Sequence, residues 1–277
     1  MNRFKEQAMK IVFMVAACAS VLAVFLICLF LFANGIPAIA KIGPLKFLLG
    51  TVWKPSNDKF GIFPMIIASI YVTGGAILVG VPIALFTSVF MARYCPKKIY
   101  RPLKSGIELM AGVPSIVYGL FGMLFFVTAC HMSYSLMAGI LTVAIMVLPT
   151  VLRTTEEALL AVPDSFREGS FGLGAGKLRT VFRIVLPSAI PGILSGVILS
   201  TGRIAGETAA LIYTAGTMAT LPKNLLSSGR TLAVHMYVLS QEGLHTDQAF
   251  ATAVILLVMV LLINILSSVI AKKMQRD

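Results

Sequence analysis

The chain has 277 residues, of which 58% are hydrophobic and only 12% are charged. A soluble domain has roughly 25% charged residues and could not bury so many apolar side chains in a core of this size. The composition excludes a soluble protein and predicts an all-α membrane protein with several spans. A net charge of +12 would suggest nucleic acid in a soluble protein, but here the basic residues mostly lie between apolar blocks. We therefore read them as topology signals and expect no nucleic acid partner.

About six apolar segments are long enough to cross a bilayer, since a span needs about 20 mostly apolar residues. In chain order they are residues 11–33, 62–91, 107–129, 134–152, 188–211 and 249–271. The first is too long for a signal peptide and is predicted to stay as an uncleaved anchor. Sixteen Lys and Arg residues fall on one side of this arrangement and six on the other. By the positive-inside rule, both termini are predicted to be cytoplasmic.

The loops between these segments suggest how the chain is organised. Residues 153–187 form the longest predicted cytoplasmic loop. We divide the chain into an N-terminal anchor with its first outer loop, residues 1–60, and a transmembrane core, residues 61–277. Within the core, the outer segment 212–248 is too interrupted to span, so it is expected to lie in the membrane interface or to re-enter as a gate.

The cytoplasmic loop contains the most specific pattern in the chain. Glu168-Gly169-Ser170 is followed after three residues by Gly174, and after nine more by Ile184-Val185-Leu186-Pro187. This pattern resembles the EAA loop of ABC-importer permeases, E-A-A-x3-G-x9-I-x-L-P. The resemblance implies a short coupling helix that docks on a cytoplasmic ATPase. The residues that it assigns to ATPase coupling are Glu168, Gly169, Ser170, Gly174, Ile184, Leu186 and Pro187.

The side chains around this pattern suit a docking element, because Phe166, Phe171 and Leu173 are predicted to form an apolar face. The alternative is a basic loop that serves only topology. The sequence departs from the family pattern at Gly169 and Ser170, which replace two alanines. Since glycine inside a helix costs about 0.5–1 kcal/mol relative to alanine, a less rigid coupling helix is expected.

A charged pair lies within the fifth apolar segment. Arg203 and Glu207 are four residues apart and are expected to share one face of a helix and to pair. An arginine within a bilayer is costly and should face the bundle interior or a water-filled path. We predict that Arg203 offers its donors to a passing oxyanion and that Glu207 holds it in place, with Thr208 beside them in the substrate path. The alternative is a purely structural ion pair.

Small residues and prolines interrupt several of the predicted spans. In the third segment, Pro114, Ser115 and Gly119 are candidate hinge or packing positions. Such residues are tolerated in membrane helices where neighbours or water satisfy the freed backbone groups. They indicate either ordinary tight packing or helices that move.

The sequence contains no motif for enzymatic chemistry. It has no Gly-Lys-Ser/Thr nucleotide-binding pattern, no Ser/His/Asp arrangement and no Cys/His spacing that suits a metal. We predict that the chain is not an enzyme and carries no cofactor, so that any ATP and Mg²⁺ are bound by a partner.

Several passages together resemble the permeases of the bacterial phosphate-specific ABC importer. They are residues 60–64, 111–122, 148–158 and 202–209, and the resemblance runs from about residue 60 to the C-terminus. Two paralogous permeases, PstA and PstC, form the pore of that importer. The Gly206-Glu207-Thr208-Ala209 ending favours a PstA-like chain, whereas Trp53-Lys54-Pro55 is more similar to PstC.

The resemblance implies the type I ABC-importer permease fold and a multi-pass place in the bacterial inner membrane. It also implies import of inorganic phosphate with a second, PstC-like permease, two copies of an ATPase subunit and an extracytoplasmic phosphate-binding protein. One alternative is a permease of the same architecture for sulfate, molybdate or phosphonate. A second is an ion-coupled secondary transporter, which should show inverted repeats or more intramembrane carboxylates. A third is a membrane scaffold that relays phosphate status to a signalling kinase.

Overall fold

The computed structural model describes residues 3–274 of the chain, and the side chains of residues 6–269. The predicted sidedness of the termini draws in part on Arg276, which lies outside the described residues. That sidedness stays a prediction.

Among residues 3–274, five helices are long and apolar enough to cross a membrane. They comprise α1 (Arg3–Ile42), α3 (Phe63–Arg93), α6 (Leu136–Leu160), α9 (Leu186–Ala205) and α12 (Thr246–Met274). A sixth span arises if two helices joined at a sharp bend, α4 (Lys97–Ala111) and α5 (Ser115–Gly122), are counted as one. The prediction of about six membrane helices is confirmed.

The remaining elements are short and connect the long helices. Helices α2 (Pro44–Leu49), α7 (Asp164–Gly172), α8 (Lys177–Thr180), α10 (Ala209–Ile212) and α11 (Leu232–Glu242) belong to this group. Two π-helical stretches, Met123–Ala129 and Val181–Val185, continue α5 and precede α9. Strands β1 (Trp53–Lys54) and β2 (Lys59–Phe60) form an antiparallel hairpin around a 3₁₀ turn, Pro55–Asn57, in the loop that follows α2.

The third predicted span, residues 107–129, is not one straight helix. Its two parts meet at an angle of 99° around Gly112 and Pro114. Proline lacks a backbone N–H and disfavours a helical conformation in the residue before it, so the helix cannot run through this point. The Tyr118 hydroxyl donates to the Met110 carbonyl oxygen across the bend at 2.7 Å. The same oxygen accepts from the Val113 backbone N–H at 3.2 Å, so two bonds hold the turn at the break.

Two other predicted boundaries were wrong. Helix α6 continues through Leu160, so residues 153–160 of the predicted cytoplasmic loop are helical. The fifth predicted span, residues 188–211, ends as a helix at Ala205, and α10 follows after a break. Polar residues near the helix ends made both boundaries hard to predict. The exposed backbone groups of a helix terminus can be satisfied by water or by polar side chains, so polarity alone does not show where a helix ends.

The main core lies where α3, α6 and α10 meet. Its fully or almost fully buried members are Ala68, Val72, Ala76, Leu136, Ile140, Val143, Ala144, Met146, Val147, Ile204, Ala210, Leu211, Ala215 and Val234. Helices α1 and α12 pack together beside this core, where the rings of Phe30 and Phe250 meet edge-on at 5.5 Å. The apolar side chains of α1 are mostly exposed, from Met9 to Phe30. Such a surface requires lipid or another apolar partner around it.

Candidate coupling surface and translocation path

Helix α7 carries the first part of the coupling pattern. Pro163 precedes the helix in an extended conformation, and Asp164 in the first turn accepts a hydrogen bond from Arg167 at 2.8 Å. A carboxylate at a helix N-terminus is favoured by the exposed N–H groups there. Glu168 and Gly169 are both exposed on the outside of this helix, where they are accessible to a partner.

The turn that ends α7 explains two other residues of the pattern. Gly174 has φ +82°, a left-handed conformation that side-chain-bearing residues rarely adopt, and its N–H donates to the Phe171 carbonyl oxygen at 2.9 Å. Ser170 is buried, and its hydroxyl lies 2.8 Å from the hydroxyl of Thr180 in α8. The turn and this bond fold α8 back against α7. The replacement of alanine by Ser170 therefore adds a polar link between the two helices.

Apolar side chains project from this helical pair instead of lying in a core. Leu173 is 91% exposed, Leu178 is 67% exposed and Phe166 is 50% exposed, and Phe171 is also exposed. Phe166, Phe171 and Leu173 are therefore all accessible to a partner, and their role as one docking face stays a prediction. Exposed large apolar groups rimmed by charge are typical of a protein interaction surface.

A small apolar cluster joins the residues that flank this helical pair to three long helices. Its buried members are Val89, Leu159, Val162, Val181, Val185, Ala189 and Ile193. The Arg93 guanidinium at the end of α3 donates to the Leu159 carbonyl oxygen in the last turn of α6. Val162 before α7 and Val181 after α8 are therefore packed against α3, α6 and α9, so the residues on both sides of the pair are anchored.

The last part of the pattern leads into α9. Ile184 lies in the π-helical turn, Leu186 begins α9, and Pro187 occupies its first turn. Proline is tolerated there because the first N–H groups of a helix have no intrahelical acceptor. Pro187 is exposed, whereas Ile184 and Leu186 are half-buried. All seven predicted coupling residues thus lie between α7 and the start of α9.

Arg203 and Glu207 do not form the predicted pair. Helix α9 ends at Ala205, so Glu207 lies beyond the helix that carries Arg203 and the two do not share one helix face. Glu207 is buried, and its Oε1 accepts a hydrogen bond from the Ala210 backbone N–H at 3.1 Å. Within the part of the chain that the structure describes, ion pairs join Arg153 to Glu157 and Arg167 to Asp164, and none involves Arg203.

Glu207 acts instead as the cap of α10. Its carboxylate satisfies an N–H group at the start of this helix, where negative charge is favoured. Thr208 is half-buried beside it and donates to the Gly206 carbonyl oxygen at 3.3 Å. Helix α10 lies directly against α5. A Cβ atom at Gly119 would stand 2.8 Å from the Ala210 Cα atom, so this glycine permits the contact.

Arg203 is exposed in the last turn of α9, a helix that otherwise reads as a membrane span. A guanidinium cannot face lipid at low cost, so this side of α9 must face water or another protein. Leu199, one turn earlier on the same face, is 63% exposed.

The hinge candidates Pro114 and Ser115 lie at the bend between α4 and α5. Pro114 directly precedes α5, and Ser115 is its first residue.

The structure also brings together residues that the sequence left unassigned. His235 in α11 is fully buried, and the Arg230 Nη1 atom donates to its Nδ1 at 3.1 Å. Because arginine is always a donor, the ring proton lies on Nε2, which has no hydrogen-bond partner among the described residues. Burial, together with the charge of Arg230, lowers the pKa of His235 to about 3. The ring of Trp53 meets that of His235 edge-on at 4.2 Å.

No local signal in the sequence could have predicted this cluster. Trp53 lies in β1 and is far along the chain from Arg230 and His235. The contact fastens the hairpin of the first outer loop to α11 in the 212–248 segment. This segment is therefore packed and partly helical, and α11 is too short to be counted among the spans.

Comparisons with known proteins agree with this geometry. The family model described as "Binding-protein-dependent transport system inner membrane component" matches residues 80–277. The probable ABC transporter permease protein YqgI of Bacillus subtilis is 32% identical, over 94% of this chain and 95% of that protein. The probable phosphate transport system permease protein PstA of Methanocaldococcus jannaschii is 30% identical, over 89% of this chain and 85% of that one. Other relatives bear the names of both phosphate permeases, PstA and PstC.

Among solved structures, a bacterial alginate ABC transporter in complex with a periplasmic protein contains a similar chain. The two superpose with a TM-score of 0.69 over 100% of this chain and 99% of that chain, at 14% identity. At this identity the likeness shows the fold alone. The fold is that of a permease subunit of a type I ABC importer.

Proposed function

The chain belongs to the inner membrane components of binding-protein-dependent transport systems, and on this basis we propose that it is a permease subunit of an ATP-driven importer of inorganic phosphate. As an ABC importer permease it is a multi-pass protein of the inner membrane and a transport component. Phosphate as the substrate and the roles of individual residues belong to the proposal.

Two kinds of evidence support phosphate as the substrate. Several relatives at 28–34% identity are named after phosphate transport. The passage Gly112-Val113-Pro114-Ser115-Ile116-Val117-Tyr118-Gly119 also resembles the phosphate permeases, and it forms the bend and the start of α5. The YqgI relative carries no substrate in its name, so transport assays must decide between phosphate and other oxyanions.

The observation that carries the proposed path is the exposure of Arg203 within a membrane span. A guanidinium presents several N–H donors in a planar fork that matches an oxyanion. On the surface of a single subunit, this group would line the path once a second permease covers it. Glu207 has a different role from the one first expected. It holds α10 against α5 through its cap and shapes the wall beside Arg203.

We propose that the pair α7–α8 is the element that couples the permease to a cytoplasmic ATPase. Its open apolar face, formed by Phe166, Phe171, Leu173 and Leu178, supports this role. The packing of the flanking residues Val162 and Val181 on α3, α6 and α9 would carry a movement of the ATPase into the spans. The full transporter would contain this chain, a second permease, two ATPase subunits and an extracytoplasmic phosphate-binding protein. We place this chain in the PstA-like position and its partner in the PstC-like one.

Two outlying parts of the chain complete the proposal. Residues 1–60 would serve as anchor and first outer loop, and residues 61–277 as the permease core. Helix α1 packs along α12, and the hairpin packs on α11. Both the anchor helix and the loop that follows it are therefore in contact with the core.

Uptake of labelled phosphate by the assembled complex in proteoliposomes tests the substrate and the path. We expect ATP-dependent uptake that excess phosphate competes away and that excess sulfate does not. Arg203→Ala should abolish uptake while the complex still co-purifies, and Arg203→Lys should restore it only in part because the planar fork is lost. Leu199→Ala, a truncation on the same exposed face, should retain uptake. Normal uptake by Arg203→Ala would remove the proposed role of this arginine.

ATPase activity tests the coupling surface separately. Leu173→Asp and Glu168→Ala should lower phosphate-stimulated ATP hydrolysis and loosen the ATPase subunit. Lys59→Ala, on the exposed outer hairpin, should change neither. If Leu173→Asp bound the ATPase as tightly as the unchanged chain, the apolar face would not be the docking surface.

A further inference from the structure

Helix α4 presents two unlike faces. Lys97, Arg101 and Lys104 recur at spacings of four and three residues and therefore share one face, with Lys98 beside them. All four are exposed. On a different side of the helix from this basic face lie two exposed apolar residues, Ile99, which is 53% exposed, and Leu109, which is 75% exposed. These two residues are ten apart, which also places them on one side of the helix.

A third side of α4 is held by the protein. Leu103 and Ile107 are partly buried towards α6, and the Tyr100 hydroxyl donates to the Glu156 carboxylate at 2.6 Å. Glu156 itself is buried in α6. The orientation of α4 about its own axis is therefore fixed, with the exposed apolar strip and the basic face directed away from the helical core.

The bend sets the direction of α4 relative to the helix that follows it. α4 lies at 99° to the helix that follows it, and only three residues separate them. Three residues reach at most about 10 Å, so the end of α4 must stay close to the helix that begins at Ser115. If that helix enters the membrane along its normal, α4 lies parallel to the interface.

We propose that α4 is an interfacial helix that binds anionic phospholipid headgroups. A helix parallel to the interface buries its apolar strip among the acyl chains and presents its basic face to the headgroups. Clusters of four or more Lys and Arg residues on an amphipathic helix are typical of binding to anionic lipids. Among the described residues, no carboxylate forms an ion pair with these four residues, and Lys104 donates to the Tyr100 hydroxyl at 3.4 Å. The charges of Lys97, Lys98 and Arg101 are therefore available.

A protein partner would fit this surface less well. An ATPase or second permease would have to cover both an apolar strip and a basic face that point in different directions. The membrane interface offers acyl chains to the strip and anionic headgroups to the basic face of the same helix. Tyr94 is exposed just before the helix begins, and tyrosines are enriched at membrane interfaces. The proposal depends on the fold and the bilayer and does not require phosphate to be the substrate.

Lipid retention by the purified complex tests the proposal. The triple variant Lys97→Gln, Lys98→Gln, Arg101→Gln is compared with the unchanged chain in native mass spectrometry and in thermal unfolding with added phosphatidylglycerol. We expect the unchanged complex to retain anionic lipid and to gain thermal stability from it. The triple variant should lose most of both effects, and phosphatidylcholine should stabilise neither complex.

A matched control removes the same charge elsewhere. Lys46→Gln, Lys54→Gln, Lys59→Gln neutralises three exposed lysines near the outer hairpin and should leave the phosphatidylglycerol effect intact. If the control lost the effect as fully as the α4 variant did, the binding would reflect net charge alone and the proposal would be overturned. Equal lipid retention by the α4 variant and the unchanged chain would overturn it as well.

A second measurement covers the case in which the triple variant fails to assemble. A fluorophore is attached to Leu109→Cys in a complex whose four native cysteines, Cys18, Cys28, Cys95 and Cys130, are replaced by serine. Quenching by lipids brominated along their acyl chains is expected, because Leu109 should lie below the headgroups. An unquenched label, or one that crosslinks efficiently to another subunit, would show that protein covers this face.

Discussion

The hydroxyl of Ser170 lies 2.8 Å from the hydroxyl of Thr180, and both side chains are buried between α7 and α8. The family pattern has alanine at the position of Ser170, which could not make this bond. The link holds two short helices together on a surface whose apolar side chains are open. Helices of this length are marginal alone, so their arrangement depends on such contacts and on the cluster beneath them.

Removal of this link should loosen the pair without abolishing its fold. Ser170→Ala deletes one hydrogen bond, worth about 0.5–1.5 kcal/mol, while Thr180 keeps its bond to the Gly176 carbonyl oxygen. We expect faster amide hydrogen exchange across residues 164–180 and an unchanged rate in α6. Ser188→Ala, which removes an exposed hydroxyl bonded within its own helix, is the control. Unaltered exchange in Ser170→Ala would mean that packing alone holds the pair.

Alanine should have opposite effects at the two glycines of the pattern. At Gly169 a Cβ atom meets nothing within 4 Å, so alanine should stabilise α7 by about 0.5–1 kcal/mol. At Gly174 the left-handed backbone should make alanine cost about 1–2 kcal/mol. Hydrogen exchange of α7 in the two variants measures both effects. Equal changes of one sign would contradict the assignment of the turn to Gly174.

Gly119→Ala should disturb the contact between α5 and α10. The added Cβ atom would stand 2.8 Å from the Ala210 Cα atom, and backbone cannot give way as a flexible side chain does. Overpacking of this kind costs typically about 1–3 kcal/mol. We expect a lower unfolding temperature and reduced transport, since Glu207 and α10 would shift. At Gly106 a Cβ atom meets nothing within 4 Å, so Gly106→Ala should lower neither quantity.

The outer segment should lose stability in acid because of His235. Its pKa is lowered from 6.5 to about 3 in the folded protein, so below pH 6.5 the unfolded chain takes up a proton that the folded chain does not. Stability should fall with pH from about 6.5 towards 3, by at most about 1.4 kcal/mol per pH unit for one proton. Above pH 6.5 this contribution is constant.

Thermal unfolding between pH 7.5 and 4.5 measures this effect. Carboxylates also titrate in acid, so the informative quantity is the difference between the unchanged chain and His235→Gln, which should shrink as the pH falls. His131→Asn alters an exposed histidine and should keep the pH profile of the unchanged chain. Parallel profiles for the unchanged chain and His235→Gln would show that this histidine is already protonated or solvated when folded.

Several features could be predicted because they depend on composition and local spacing. Spans follow from apolar length, since only a helix satisfies its own backbone in lipid. The coupling pattern from Glu168 to Pro187 could also be placed, and the helices, the left-handed Gly174 and the open Leu173 agree with it. The pairing of Arg203 with Glu207 could not be judged in this way. It assumed a continuous helix, whereas the helix ends at Ala205.

The amino-acid order by itself determined that this chain is a membrane protein. It also determined which segments of the sequence form the long helices and which loop resembles a docking element. These properties depend on residues near one another in the chain. Only the tertiary structure decided that the third span bends by 99°, that Glu207 caps α10, and that Trp53 covers His235. Such contacts join residues far apart in sequence or depend on where a helix stops. The long-range contacts and the helix ends are decided by packing, capping and backbone hydrogen bonds across the whole fold. The local periodicity of the sequence does not show which of these interactions prevails.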